Sequence, residues 1–344
     1  MNKNTLAIIF IVVVISGLIY FFVSHSKNNR RDTSLVNQKV SPTPFPFQNL
    51  TIPYLRAKNY SSKLGELNFY ANGLNYKSYL TSYNSDGFKI NGLLTIPNGD
   101  TPKGGWPGIV FVHGYIPPSL YVTTERYVDY VDYLARNGYV VFKIDLRGNG
   151  ESEGKPGGSY YSSDYVIDTL NARSALQNAD FVNKNKVGLW GHSMAGNVVL
   201  RSLAVKPEIP AAVIWAGAGY TYADLQKYGL NDQSYHPPAD VTQRQNSRNQ
   251  IIKRFGSFDS SNEFWKEVAA TNFLNDLKGA IELNHAVDDD VVNIGYSRDL
   301  NKLLDKTKVP HELHEYPSGG HNISGPSFVP AMENTVSFFN KYLK

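Results

Sequence analysis

The sequence predicts an α/β protein: a mostly parallel sheet with helices on both faces, a small helical insertion late in the chain, and an apolar N-terminal helix ahead of it. Three observations carry this. Short continuous apolar runs, the mark of strands buried on both faces, alternate with helical stretches. One polar stretch, about residues 220–275, breaks that alternation and is too long for a plain loop. And the residues from Thr5 to Val23 carry no charge at all.

Composition narrows the class. With 344 residues, 42% of them hydrophobic, the chain can bury one large core or two modest ones. Only 19% of residues are charged and 13% are aromatic, a globular profile rather than a disordered one. The net charge of +4 is mild, and no Lys/Arg block resembles a nucleic-acid footprint, so no nucleic-acid partner is expected. There is no cysteine, which excludes disulfides, thiolate metal sites, a cysteine nucleophile and a lipidated N-terminal cysteine.

Taken in order, Thr5–Val23 is long enough to cross about 28 Å as a helix, close to the hydrocarbon thickness of a bilayer. No Ala-x-Ala-like site follows, so an uncleaved single-pass anchor in the cell membrane is expected. Lys27, Arg30 and Arg31 after the span, read by the positive-inside rule, would hold the large domain in the cytoplasm. A short head with an apolar span behind it usually acts as an export signal, and the expectation adopted is a domain outside the membrane. Residues 24–53, with Pro42, Pro44 and Pro46, read as an extended tether, and 54–344 as the folded domain. Leu74–Tyr83 and Phe88–Pro97 read as two strands around the turn Asn84-Ser85-Asp86-Gly87. Further strands are expected at Gly108–His113, Tyr139–Asp145, Val187–Trp190, Ala211–Trp215, Ala280–Leu283 and Glu312–Tyr316. Helices are expected at Tyr127–Asn137, Ser163–Asn178, Met194–Val205 and Asn334–Leu343. The polar stretch at about 220–275 is read as a helical lid inserted into the sheet order.

The chemistry gathers at strand ends. Gly191-His192-Ser193-Met194-Ala195-Gly196 follows a strand and opens a helix, which places Ser193 on a sharp turn with small neighbours. The Met194 N–H then lies at a helix N-terminus, where it can face a developing oxyanion. Phe111-Val112-His113-Gly114-Tyr115 ends the first buried strand, and the Tyr115 N–H is the expected second oxyanion donor. Asp288, Asp289 and Asp290 follow the strand ending near Leu283; one can orient a histidine while the others cap the loop or meet solvent. Of eight histidines, His321 alone sits on a loop after the last strand, behind Gly319 and Gly320. Asp145 and Arg147 read as loop braces. His311 and His314 have the spacing of a metal pair but no third ligand is apparent, so neither a metal nor a cofactor is expected.

HGY, DLRGNGES, GHSMAG, HAVDDDVV and the GGH loop, in this order, resemble the catalytic domain of the prolyl oligopeptidase family and its acyl-peptidase and esterase relatives. The resemblance covers roughly residues 75–344. It implies the α/β-hydrolase fold, Ser193 as nucleophile and His321 as base. In that family the acid stands four residues after a strand-ending histidine, with a valine three residues further on, which selects Asp289 between His285 and Val292. Two departures stand out: Ala195 occupies a position usually held by glycine, and the stretch ahead of HGY is too short for the β-propeller that gates many of these peptidases. The expected activity is a serine-type peptidase cleaving amide bonds of a small peptide. A carboxylesterase for small or acyl esters is the second reading, and a catalytically inactive, membrane-tethered binding protein the third. Oligomeric state is not readable from the sequence.

Overall fold

The computed structural model describes residues 45–231 and 241–344. The apolar run Thr5–Val23 and most of the tether lie outside the described residues, as does the Tyr235–Pro238 part of the lid. Among the described residues no helix is long and apolar enough to cross a membrane. The folded unit runs from Pro46 to Lys344.

Nine strands form one sheet: β1 (Asn68–Asn72), β2 (Tyr76–Ser85), β3 (Phe88–Pro97), β4 (Trp106–Val112), β5 (Val140–Ile144), β6 (Val182–His192), β7 (Ala211–Trp215), β8 (Ala280–Ala286) and β9 (His311–Tyr316). Their spatial order is β1-β2-β3-β5-β4-β6-β7-β8-β9. Pairing is antiparallel from β1 through β5 and parallel from β5 through β9. Asp86 and Gly87 close the β2–β3 hairpin with φ of 53° and 87°, the left-handed pair of a tight two-residue turn. The order reverses at β4, which has β5 on one side and β6 on the other. In open α/β sheets that reversal opens a crevice at the carboxyl ends of the strands.

The helices are α1 (Ile52–Ala57), α2 (Val128–Arg136), α3 (Asp164–Gln177), α4 (Ala195–Val205), α5 (Tyr222–Tyr228), α6 (Val241–Phe255), α7 (Glu263–Val268), α8 (Gly295–Leu304) and α9 (Phe328–Leu343). Side chains alternate across each strand, so the parallel strands feed two cores. Val110, Val112, Phe142, Leu189, Ile214 and Leu283 pack against α3, α4 and α8. Ile109, Phe111, Val141, Trp190, Val213 and Trp215 pack against α2 and α9. Burial on both faces explains why these strands read as unbroken apolar runs.

Three elements carried no such signal. β1 is mostly exposed and shows no apolar face. α1 lies where Pro53 suggests tether, yet proline suits the first helical turn, and the Thr51 hydroxyl caps the helix by accepting from Tyr54 N–H at 3.3 Å. Leu50, Ile52 and Leu55 are buried, so the packed domain begins before the expected boundary at 54. α8 opens on Gly295 but buries Tyr296, Leu300 and Leu304, spaced four apart. The last helix starts at Phe328, not Asn334, because Pro330 falls in its first turn, where no backbone donor is needed. The described part of the insertion is helical, with α5, α6, α7 and a 3₁₀ segment at Ala270–Asp276.

Candidate active site

Ser193 stands between β6 and α4 with φ of 57°, a left-handed conformation that costs a non-glycine residue about 1–2 kcal/mol. The surroundings hold it there. Its N–H donates to Trp215 O at 2.9 Å, and its carbonyl accepts from Gly196 N–H at 2.9 Å and Ala218 N–H at 3.1 Å. The bend also requires close packing: a Cβ on Gly191 would fall 2.7 Å from Val199 Cγ2, and one on Gly196 2.7 Å from a backbone carbon of Gly217. Ala195 fits because Gly191 opposite has no side chain; a Cβ there would stand 3.1 Å from the alanine methyl.

Three loops meet over this turn. His321 Nε2 lies 2.8 Å from Ser193 Oγ, and His321 Nδ1 lies 2.9 Å from Asp289 Oδ2. The Asp289 side chain is fully enclosed, and its other oxygen accepts from the Val291 and Val292 N–H groups at 2.9 Å each. Oδ2 takes a second bond from His285 Nε2 at 3.1 Å. Burial alone would raise this carboxyl, but the bonds from His285, His321 and the loop N–H groups outweigh it and hold Asp289 well below the usual carboxylate range. His285 Nε2 faces two acceptors, Asp289 Oδ2 and Val292 O, so it carries the proton; Nδ1 then accepts from the Ser297 hydroxyl at 2.8 Å. The neighbouring acids do other work. Asp288 accepts from Gly319 N–H at 3.2 Å and Gly320 N–H at 2.8 Å, tying the acid loop to the loop that carries His321. Asp290 is exposed.

A second chain of bonds crosses behind the serine. Gly114 N–H donates to Tyr127 Oη at 2.9 Å, and Tyr127 Oη lies 2.8 Å from His192 Nδ1. His192 Nε2 lies 2.9 Å from the His321 carbonyl oxygen. That carbonyl can only accept, so Nε2 holds the proton, Nδ1 accepts from the tyrosine hydroxyl, and every bond has one direction. Burial, with His321 adjacent, lowers His192 to about 3, so the ring stays neutral. The chain links the loop after β4, the residue before Ser193 and the backbone of the His321 loop. A Cβ on Gly114 would strike it, falling 2.8 Å from Tyr127 Oη and 3.1 Å from Ser193 Cβ. Nothing local marks Tyr127 for this part: it lies at the start of a helix, far from any motif, and only the fold brings it to His192.

The pocket over Ser193 has a volume of about 290 Å³ and is lined by Gly114, Tyr115, Ile116, Arg126, Tyr127, Tyr130, His192, Ser193, His321 and Asn322. Tyr115 therefore lies beside the serine. Met194 precedes α4, so its N–H has no carbonyl one helical turn back to bond. His113 turns away from the pocket, with Nε2 2.8 Å from Asp145 O and its ring stacked on Tyr121, and burial lowers it to about 4. Asp145 and Arg147 brace the surrounding loops. The Asp145 carboxylate accepts from Tyr121 and Thr123, and the Arg147 guanidinium forks onto the buried Asp168 at 2.7–3.1 Å. His311 and His314 lie on β9, outside the pocket.

Comparison with known proteins agrees with this architecture. The family described as serine aminopeptidase, S33 matches residues 108–246, which include Ser193 but not Asp289 or His321. Dipeptidyl peptidase 8 of Mus musculus is 26% identical over 248 residues, covering 70% of this chain and 26% of its own length. The chain thus spans about a quarter of that relative. Among solved structures, dipeptidyl peptidase 4 of Porphyromonas gingivalis superposes with a TM-score of 0.57 at 20% identity, over 78% of this chain and 36% of its own. Acetyl xylan esterase from Paenibacillus sp. R4 gives 0.60 at 15% identity, over 85% of this chain and 92% of its own. At such identities these two show the fold. The fold is that of the α/β-hydrolases, and the similarities run to prolyl oligopeptidase-like peptidases and to esterases.

Proposed function

We propose that this protein is a serine peptidase that cleaves an amide bond in a short peptide through an acyl-enzyme. The observation that carries the hydrolytic reading is the hydrogen-bonded series Ser193–His321–Asp289 at the mouth of the pocket. His321 Nε2 takes the Ser193 proton as Oγ attacks the carbonyl carbon, and Asp289 holds the Nδ1 proton and stabilises the imidazolium. The oxyanion is held by the Met194 and Tyr115 N–H groups. The protonated His321 then passes its proton to the leaving amine, and a water activated by the same imidazole releases the acyl group.

For amide rather than ester cleavage the support is the alignment with dipeptidyl peptidase 8, which extends over 70% of the chain. The cationic Arg126 beside the serine suits a substrate with a free carboxylate, as a short peptide has. The resemblance to acetyl xylan esterases, which matches this chain nearly end to end on both sides, supports a carboxylesterase as the second reading. Thr5–Val23 supports placing the enzyme on the cell membrane by a single N-terminal span, with the hydrolase domain outside.

The test is a matched pair of chromogenic substrates, one aminoacyl amide and one ester with the same acyl group, assayed beside Ser193→Ala. Loss of the serine should lower turnover by about 10⁶. Residual activity within tenfold of wild type would sink the nucleophile assignment. Serine-dependent turnover of the ester alone would replace the peptidase reading with the esterase one.

A further inference from the structure

His314 and its partners lie on the α9 face of the sheet, away from the pocket. The parallel register sets Glu282 of β8 beside Glu312 of β9, and His314 follows two residues on, on the same face as Glu312. Glu282 Oε2, Glu312 Oε2 and His314 Nε2 converge, with His314 Nε2 3.8 Å from the first and 3.4 Å from the second. The Glu282 side chain is fully buried, and its Oε2 has no hydrogen-bond partner; nor has the enclosed His314 Nε2. Two such atoms facing each other, both shielded from water, are costly unless something binds between them.

We propose that Glu282, Glu312 and His314 form a structural divalent-metal site of the zinc class that ties β8 to β9. Two donors about 2.0–2.2 Å from a tetrahedral ion stand about 3.3–3.6 Å apart, which the observed separations approach with a small side-chain adjustment. One imidazole with two carboxylates is a zinc-type donor set, and a water completes the tetrahedron. The supporting contacts are those a metal site needs. Glu282 Oε1 accepts from Asn284 Nδ2 at 2.6 Å and Thr335 Oγ1 at 3.0 Å, which fixes Oε2 toward His314. Glu312 Oε1 accepts from Lys341 Nζ at 3.3 Å, leaving Oε2 for the ion. The His314 side chain is 30% exposed and gives the ion a way in. β8 runs into the loop bearing Asp289 and β9 into the loop bearing His321, so an ion here would hold the roots of both loops in register.

The experiment uses the full chain, stripped with a chelator and titrated with Zn²⁺ by calorimetry, then with Co²⁺ by visible absorption. One equivalent should bind, Co²⁺ should give the intense bands of a tetrahedral site, and Tm should rise by about 4 °C at a hundredfold excess over Kd. Glu312→Gln and His314→Gln, both partly exposed, should each fold as wild type does, weaken Zn²⁺ about 100-fold and remove the Tm rise. His311→Gln, whose ring is engaged by Asp305 instead, should bind as wild type does. No stoichiometric binding, or binding unchanged in Glu312→Gln and His314→Gln, overturns the proposal.

Discussion

The two sides of Ser193 are built differently. On the side of β8 and β9, short loops carry the acid and the histidine, and nearly every polar atom is paired within its own loop or the adjacent one. Asp289 takes its partners from Val291, Val292, His285 and His321, and Asp288 clips Gly319 and Gly320. On the side of β4, the chain travels from Gly114 to Tyr127 before an α-helix resumes, and it is pinned from a distance: by Tyr127 to His192, and by Tyr121 and Thr123 to Asp145. The first side is specified locally and the second by tertiary contact. The acid and histidine are thus fixed by a few adjacent residues, whereas the wall built by the loop after β4 depends on side chains reaching across the fold, to His192, Asp145 and, through Arg126 O, Lys143.

The sharpest break of this comparison is Asp289→Asn. It preserves shape but leaves the His321 tautomer unsupported, and kcat should fall by about 10⁴. Asp290→Asn, an exposed neighbour, should leave kcat within about twofold, so steady-state kinetics on the pair tests whether one carboxylate alone orients the imidazole. Tyr127→Phe probes the other side. It leaves the Gly114 N–H and His192 Nδ1 without partners, at a cost to stability of about 1–3 kcal/mol. The loosened loop should also lower kcat by about tenfold. Equilibrium denaturation and kinetics measured together give both effects. A wild-type kcat in Tyr127→Phe would show that the loop after β4 is held by other contacts.

The same division decides what could be read in advance. The parallel strands were legible because burial on both faces makes them continuous apolar runs, and Ser193, Asp289 and His321 were legible because the fold places each at the end of such a strand in a set order. The residues alone left Asp288, Asp289 and Asp290 open; the family resemblance, which sets the acid between a strand-ending histidine and a valine, pointed to Asp289, and His285 and Val292 do contact it. Tyr127, Arg126 and Tyr130 were not legible as pocket residues, because their positions depend on where α2 docks and not on any nearby pattern. β1 was hidden by its exposure, and α1 by a proline that suits a helix start as well as a tether. The carboxylates beside His314 were invisible as a set because Glu282 lies on a different strand, brought in only by the register of β8 on β9.

Acid titration sets the buried histidines behind the serine against the acid loop. His192 is lowered to about 3 and His113 to about 4, both by burial, from an ordinary value near 6.5. Between those limits the unfolded chain binds protons that the folded one refuses, so stability rises with pH there. It should be complete above about pH 6.5 and decline as the pH falls toward 4 and then 3. Asp289, also lowered, adds its own loss only below the usual carboxylate range. Asp145, raised by burial to about 6, pulls the whole-chain profile the other way, so the readout is the difference between wild type and His113→Gln. The advantage of wild type in urea midpoint should shrink as the pH falls from 7 to 4, and an advantage independent of pH would mean that the His113 ring is not held neutral in the fold.

Among the residues bonded around the site, the smallest expected effect is that of Asp288→Ala. Asp288 is exposed, and its two bonds go to backbone groups that water can satisfy in its place. Stability should change by less than about 1 kcal/mol. The bonds nevertheless join the acid loop to the glycines ahead of His321, which adopt φ of 131° and 57° and have no side chains of their own to hold them. Freed from Asp288, that loop should sample more positions, and His321 would spend less time 2.8 Å from the serine. Turnover should therefore drop by about three- to fivefold with KM unchanged, since the pocket walls contributed by β4 and α2 are untouched. A rise in KM without loss of turnover would place Asp288 with the substrate wall, and would mean that the two sides of Ser193 are less separate than their hydrogen bonds suggest.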